Sequence, residues 1–343
     1  MLVAIVSPGR IPVSRYGGTE RIVWWLGRHL VRRGHRVVFL APRGSSCDFA
    51  PLIVYRRPRD AARLIPAGVD IVHDHGVGVA AGRVAAPLIV TLHGNAPPGA
   101  VLQPNTVFVS RNQAERHGGS TFVHNGIDPD DYGPPDWTVP RDHLLFLALA
   151  AWKVKNVRGA IGIARRAGRR LAVVGGHRFN FQMGVRLTFD TNVRFYGVAS
   201  GARKHSIINR SSALLFPVRW HEPFGIALLE ALYFGCPVFG TAYGSLPEIV
   251  TPEVGFLSNR EAELVARLAD VDRYDRRRCH EYVADCYSAD LMTRRYLELY
   301  QKVLDGEEAA LHAAPPRKPD VPDPDLLPFD TRQDGIPGCD HSS

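Results

Sequence analysis

Two glutamates eight residues apart, Glu222 and Glu230, bracket the segment Pro223-Phe224-Gly225-Ile226. The apolar run 213–216 precedes them, so the order reads strand, loop, helix. Pro223 suits a first helical turn, and a helix is expected over 224–234. At such a start the amides of Phe224, Gly225 and Ile226 have no intrahelical acceptor and form a ready anion site. A carboxylate at Glu222 can accept hydrogen bonds from sugar hydroxyls. Glu230 lies about 12 Å further on at helical rise, roughly the distance from hexose to ribose in a nucleotide sugar. Taken singly, either glutamate is also explained as a helix charge favoured by the dipole or by solvent.

Other residues offer weaker chemistry. His73 and His75 have metal-ligand spacing, but no acidic or thiol partner converges on them in sequence, and no metal is expected. Gly175 ends an apolar strand, where it either faces a nucleotide or makes a plain turn. Gly17-Gly18 precedes a helix, as an ordinary tight turn also would. Trp220 either stacks near a sugar or packs beneath its loop.

These positions need elements to hold them. Short apolar strands alternate with amphipathic helices over about 300 residues, the pattern of parallel sheets covered on both faces. The first unit runs from a strand over 2–7 through the loop 8–18 into a helix over 19–33, whose Ile22, Val23, Leu26, Leu30 and Val31 share one face. Strands follow at 36–41, 69–73, 88–92 and 106–110. Four prolines among aspartates and Gly133 interrupt the pattern over 128–142, which reads as an interdomain linker. A second series has strands at 144–149, 171–174, 193–196, 213–216 and 237–240, with a helix over 157–167. The expected division is residues 1–138, completed by a helix over 287–304, then 139–286, then a Pro/Asp-rich disordered tail over 305–343. Within that tail, residues 326–329 offer a short docking segment. Such sheets bind ligands beyond the carboxyl ends of their strands, so the site belongs in a cleft between the halves.

Composition adds limits. The 343-residue chain is 45% hydrophobic and 22% charged, a soluble globular mix. Its opening apolar run is too short for a secretion signal, and no later run reaches membrane-spanning length, so a cytoplasmic protein is expected. The five cysteines form no CxxC pair, which points to reduced thiols. The net charge of +8 conceals nine carboxylates against three basic residues from Asp305 onward, leaving about +14 on residues 1–304. That basic body suits a nucleotide diphosphate, or peripheral contact with an anionic membrane carrying a lipid-linked acceptor. No nucleic-acid motif accompanies it.

From Glu222 to Val250 the chain resembles glycosyltransferase family 4, the retaining enzymes of the GT-B fold. It carries Glu-Pro-Phe-Gly with Glu230-Ala231, then Gly235-Cys236-Pro237-Val238, then Gly244-Ser245-Leu246-Pro247-Glu248-Ile249-Val250. Weaker matches arrive in the family's order: 16–21, 33–35, 69–75, 91–94 and 125–128. The resemblance implies an α/β GT-B fold, two Rossmann-like doubly wound domains facing across a deep cleft. It implies a metal-independent hexosyl- or glycosyltransferase that takes its sugar from a nucleotide-diphosphate donor and passes it to a glycan, glycolipid or metabolite hydroxyl. Glu222 would contact the donor sugar and Glu230 the ribose. The amides 224–226 would position sugar and phosphate, and Gly17 and Gly18 would approach the diphosphate. His93 would face the reacting carbon or the transferred sugar, Lys155 would grip the departing diphosphate, and Gly197 would belong to the segment cradling the base. Tyr16 and His75 would lie on the acceptor side.

One position departs from that pattern. The family pairs Lys155 with an arginine five residues earlier, and here that residue is Ala150. Either Lys153 or Arg158 supplies the charge, or the phosphates are held differently, or the chain is a weakened or inactive relative serving as a sugar-nucleotide-binding or scaffold protein. A dinucleotide oxidoreductase is disfavoured because no G-x-G-x-x-G follows the first strand. An epimerase of the same architecture would lack the EPFG block.

Overall fold

The computed structural model describes residues 1–13, 17–181, 183, 186–306, 311–312 and 314–332. Strands β1 (Leu2–Val6), β2 (Arg36–Pro42), β3 (Leu52–Tyr55), β4 (Ile71–Asp74), β5 (Leu88–Leu92) and β6 (Thr106–Phe108) form one parallel sheet. Its order is β3-β2-β1-β4-β5-β6. The second sheet is built from β7 (His143–Leu147), β8 (Leu171–Val174), β11 (Val193–Phe195), β12 (Ser211–Phe216), β13 (Val238–Gly240) and β14 (Gly255–Leu257). It runs β11-β8-β7-β12-β13-β14, the same winding as the first. A two-stranded antiparallel hairpin, β9 (Phe179–Asn180) with β10 (Arg186–Leu187), stands apart from both. The expected pair of doubly wound domains is therefore present. In each sheet the winding reverses at the middle, between β1 and β4 and between β7 and β12, and ligands of such sheets bind at that crevice.

Burial explains the strands. Val3, Ala4, Ile5 and Val6 are all inaccessible, as are Ala213, Leu214 and Leu215 in β12. Runs buried on both faces are what parallel sheets covered by helices require.

The helices are α1 (Gly18–Arg32), α2 (Arg111–Arg116), α3 (Val157–Arg166), α4 (Gly201–Asn209), α5 (Ile226–Tyr233), α6 (Leu246–Ile249), α7 (Glu261–Leu268), α8 (Arg276–Cys286) and α9 (Ala289–Leu304). Helix α1 lays Ile22, Val23, Trp25, Leu26 and Leu30 onto the core, and α9 packs against it. Trp25 is fully buried, and its indole N–H donates to Asp131 at 2.6 Å. Truncating such a side chain to alanine typically costs about 3–5 kcal/mol. Arg28 adds bonds to Asp128 and Asp131, so α1 holds the proline-rich linker by its carboxylates. No described helix is long and apolar enough to cross a membrane.

The described part of the tail departs from the expectation of disorder. Residues 314–332 form a strap that touches both domains. On the first, the Leu102 amide donates to Pro316 and the Lys318 amide to Ala100. On the second, the Leu327 amide donates to Arg219 and the Asp330 amide to Asn259. Leu311 and Leu327 are buried, and Phe329 packs on the core. The composition has too little apolar surface to fold alone, but these few groups dock on a surface already formed, with backbone bonds satisfied at both ends. The docking segment over 326–329 is where the strap meets the second domain.

Candidate functional site

A cleft of about 530 Å³ lies between the domains, lined from one side by Gly17, Gly18 and His93 and from the other by Lys155, Glu222 and Glu230. Each of these segments follows the carboxyl end of a strand: 17–18 after β1, Lys155 after β7 and Glu222 after β12, all beside a switch point, and His93 after β5, one strand further out.

The helix expected over 224–234 starts two residues later. Gly225 is its N-cap, with φ +87, a left-handed conformation that favours glycine. Phe224 and Gly225 therefore form the entering turn, and Ile226 opens the helix. A second glycine is fixed by contact: a Cβ on Gly244 (φ +62) would lie 2.3 Å from the Glu222 backbone. The Ser245 amide donates to the Glu222 carbonyl at 2.9 Å and the Ser245 hydroxyl to the Phe224 carbonyl at 2.6 Å. The motif around Gly244 is thus the bracket for the motif around Glu222.

Both glutamates are buried, and each is held by a buried lysine. Lys155 Nζ lies 2.5 Å from Glu222 Oε2, and the Trp220 indole N–H donates to the same oxygen at 2.7 Å. The Lys155 ammonium also sits 4.8 Å from the Trp220 ring centre. Trp220 lines the cleft and packs on Lys155. Lys204 Nζ lies 2.5 Å from Glu230 Oε1, and the Tyr132 hydroxyl donates to that oxygen at 2.7 Å. Burial opposes ionisation of Glu230, but Lys204 beside it, with Arg21 and Tyr132, holds the carboxyl below its ordinary range.

Behind the other wall is a histidine stack. His93, half-buried at the cleft, pairs through Nε2 with His75 Nδ1 at 2.9 Å. The His75 ring lies 4.0 Å from that of His73. His73 in turn contacts the Tyr300 hydroxyl of α9 and the Thr91 hydroxyl, each at 2.7 Å. Burial pushes His73 down to about 3, His93 down to about 4, and His75 well below the ordinary range. These rings are neutral at physiological pH, and His75 Nε2 is buried without a hydrogen-bond partner. A bare lone pair there costs less than an orphaned N–H, which places the shared proton on His75 Nδ1.

Comparison with known proteins now bears on this geometry. Residues 148–283 match the family described as glycosyl transferases group 1, and residues 16–121 match glycosyltransferase family 4. The chain belongs to the group 1, family 4 glycosyltransferases. It resembles the crystal structure of AviGT4, a glycosyltransferase involved in avilamycin A biosynthesis, at 26% identity and TM-score 0.74, covering 89% of this chain and 98% of that one. It shares its fold with Anabaena Alr3699/HepE in complex with UDP and glucose, at 14% identity and TM-score 0.62 over 88% and 99% of the two chains. An uncharacterized 41.2 kDa protein in the cps region of Klebsiella pneumoniae is 28% identical over 117 residues. That match spans 32% of either protein.

Within this glycosyltransferase the residues singled out in the sequence divide into two groups. Glu222, Lys155, His93, Gly17, Gly18, Gly175, Phe224, Gly225, Ile226 and Glu230 all line the cleft. Tyr16 lies outside the described residues. His75 does not line the cleft, because it is buried behind His93. Gly197 spends its backbone on the neighbouring loop, donating to Gly176 and accepting from Gly175, so Val198 and Ala199 line the cleft instead. Lys153 is exposed and does not line the cleft; it sits two residues from Lys155 on a 3-10 turn, about 240° around the axis. Arg158 is likewise exposed on α3. Arg178 bonds the carbonyls of Thr188, Asp190 and Val193, tying down the hairpin rather than facing the cleft. Two residues escaped the sequence reading, Lys204 and Tyr132.

Proposed function

We propose that this glycosyltransferase takes a hexosyl group from a nucleotide-diphosphate sugar and passes it to a hydroxyl acceptor with retention and without a metal. The observation that carries the reading is the pair of buried Lys–Glu contacts on either side of the turn that starts α5. Lys155 and Trp220 occupy Glu222 Oε2 and leave Oε1 for hydroxyls of the donor sugar. Glu230 serves the ribose. The first amides of α5 and those of Gly17-Gly18 face the diphosphate between them, where fixed dipoles stabilise the charge that develops as the donor bond breaks. In a front-face reaction the acceptor oxygen joins the anomeric carbon on the side the diphosphate leaves. A phosphate oxygen then takes the acceptor proton. The UDP held by Alr3699/HepE, and the ADP held by starch synthase IV of Arabidopsis thaliana, make nucleoside diphosphates natural probes. The basic body of residues 1–304 fits a lipid-linked acceptor at a membrane surface.

Release of nucleoside diphosphate from UDP-, GDP-, dTDP- and ADP-sugars tests the reading. Release is expected from one donor, undiminished in chelator, lost in Glu222→Ala, and giving product with the donor's anomeric configuration by NMR. No release from any donor, with melting unchanged by nucleotides, sinks it.

Ala150 favours a second reading, a nucleotide-sugar-binding relative without turnover. Neither Lys153 nor Arg158 replaces the absent arginine at the cleft. Nucleotide binding without diphosphate release in the same assay would select this alternative.

A further inference from the structure

Lys204 has no place in the motif that marks the donor site. It nevertheless lines the cleft and is buried against Glu230. Its helix α4 turns Ile207 and Ile208 inward, and Lys204, three and four residues before them, shares that inward face. A lysine is rarely buried without a partner, and here the partner is fixed. Two donors, Lys204 Nζ and the Tyr132 hydroxyl, converge on Glu230 Oε1, at 2.5 and 2.7 Å. The Lys204 ammonium also lies 5.7 Å from the Tyr132 ring centre. Tyr132 follows the linker residues that Arg28 and Trp25 of α1 hold through Asp128 and Asp131. Glu230 is thereby locked from two directions, by the donor-side helix α4 and by the interdomain linker.

We propose that Lys204 and Tyr132 are positioning residues that present Glu230 as an ionised carboxylate with Oε2 left to accept from the donor's ribose hydroxyls, so that the site discriminates ribonucleotides from deoxyribonucleotides. This rests on the nucleotide-sugar reading above. With one oxygen saturated by an ammonium and a phenol, the remaining oxygen is an acceptor only, and it can pair with a hydroxyl but gains nothing from a C–H. The preference belongs to the nucleoside end of the donor. It therefore acts on donor affinity and leaves the bond-breaking step to Glu222, Lys155 and the helix start.

The test measures binding of UDP, 2′-deoxy-UDP, ADP and 2′-deoxy-ADP by calorimetry to the full chain and to Lys204→Met, Lys204→Arg and Tyr132→Phe. Wild type is expected to prefer the ribonucleotide about tenfold or more, the scale of one hydrogen bond to a charged group. In Lys204→Met the preference should collapse to within about threefold, with donor KM raised and saturated turnover kept within about threefold. Lys204→Arg, which keeps the charge, should recover part of the preference. Tyr132→Phe should lose part of it, which provides a readout if the buried glutamate left alone in Lys204→Met impairs folding. An unchanged ratio in folded Lys204→Met and in Tyr132→Phe overturns the inference while leaving the nucleotide-sugar reading intact. Collapse of turnover with unchanged KM also overturns it, by moving Lys204 to the reacting phosphates. No binding of any of the four, nor of GDP or dTDP, to wild type removes both readings together.

Discussion

Asn112 and Glu248 belong to facing domains, and the Asn112 amide donates to Glu248 Oε1 at 2.7 Å. The Arg111 amide donates to Oε2 at 2.9 Å, and His124 Nε2 lies 3.0 Å from the same oxygen. A carboxylate of the second domain thus sits at the first turn of α2 in the other, where the helix dipole favours negative charge. Burial works against that charge, but His124 and the two amides hold Glu248 below the ordinary carboxyl range.

Glu248→Gln keeps the shape and removes the charge. It should lower unfolding stability by about 1–2 kcal/mol and speed hydrogen exchange at residues 111–113. Exchange in that segment indistinguishable from wild type would show that the contact carries no interdomain restraint.

The pair of Lys155 and Glu222 is buried on both sides, so removing one partner strands the other. Lys155→Met should cost about 3–5 kcal/mol in denaturant unfolding, whereas Lys155→Met with Glu222→Leu should cost distinctly less. Diphosphate release should vanish in both. Equal destabilisation of single and double variants would mean that the pair is not energetically coupled.

The neutral histidines give stability a direction with pH. Above about pH 6.5, where an unfolded histidine is also neutral, their contribution is complete. Below it the unfolded chain takes up protons that the buried rings refuse, so stability falls until about pH 4 for His93 and about pH 3 for His73. Burial lowers His117, His205 and His221 in the same direction. Asp128 acts in a separate window: burial opposes its charge, but His29 and Arg28 hold it at about 2, and its share is lost only below about pH 3.8. Denaturation midpoints should therefore decline between pH 6.5 and 4.5, and less steeply in His75→Asn. An unaltered slope in that variant would take the stack out of the account.

Restoring the family's arginine should not restore a stronger enzyme. Ala150 is buried, its amide donates to the Gly175 carbonyl at 2.9 Å, and a Cβ on Gly176 would come within 2.5 Å of the Ala150 Cβ. The two loops are packed together around small residues. Ala150→Arg should cost about 1–3 kcal/mol from overpacking and leave turnover no higher. A gain in diphosphate release would show that the loops open enough to seat a guanidinium.

The motif over 222–230 was legible because one stretch of chain carries it: Glu222, Phe224, Gly225 and Glu230 are close in sequence and all line one cleft. The longer buried strands were legible from their apolar runs, although β3 and β14 were not, being short and only partly buried. Lys204 was hidden because its partner lies 26 residues away in another helix. Its inward register with Ile207 and Ile208 was the available signal, a charge on an apolar face. Lys153 misled because the sequence shows spacing but not the 3-10 geometry that turns it outward. The strap was misread from composition, which records how little apolar surface a segment has and not whether a docking surface waits for it. His75 was misplaced for a related reason, since strand alternation does not say that a neighbouring histidine will stand in front of it.

The strap also limits mechanics. The linker and the connection from α8 to α9 run side by side, with the Ile127 amide bonded to the Tyr287 carbonyl and the Ala289 amide to that of Ile127. Two chain passages joined in this way behave as one hinge. The strap is a separate passage, fastened at Lys318 to Ala100 and at Leu327 to Arg219. Nine residues of chain reach no further than about 30 Å when fully drawn out. While both fastenings hold, that contour length is a ceiling on how far Ala100 of the first domain and Arg219 of the second can be drawn apart.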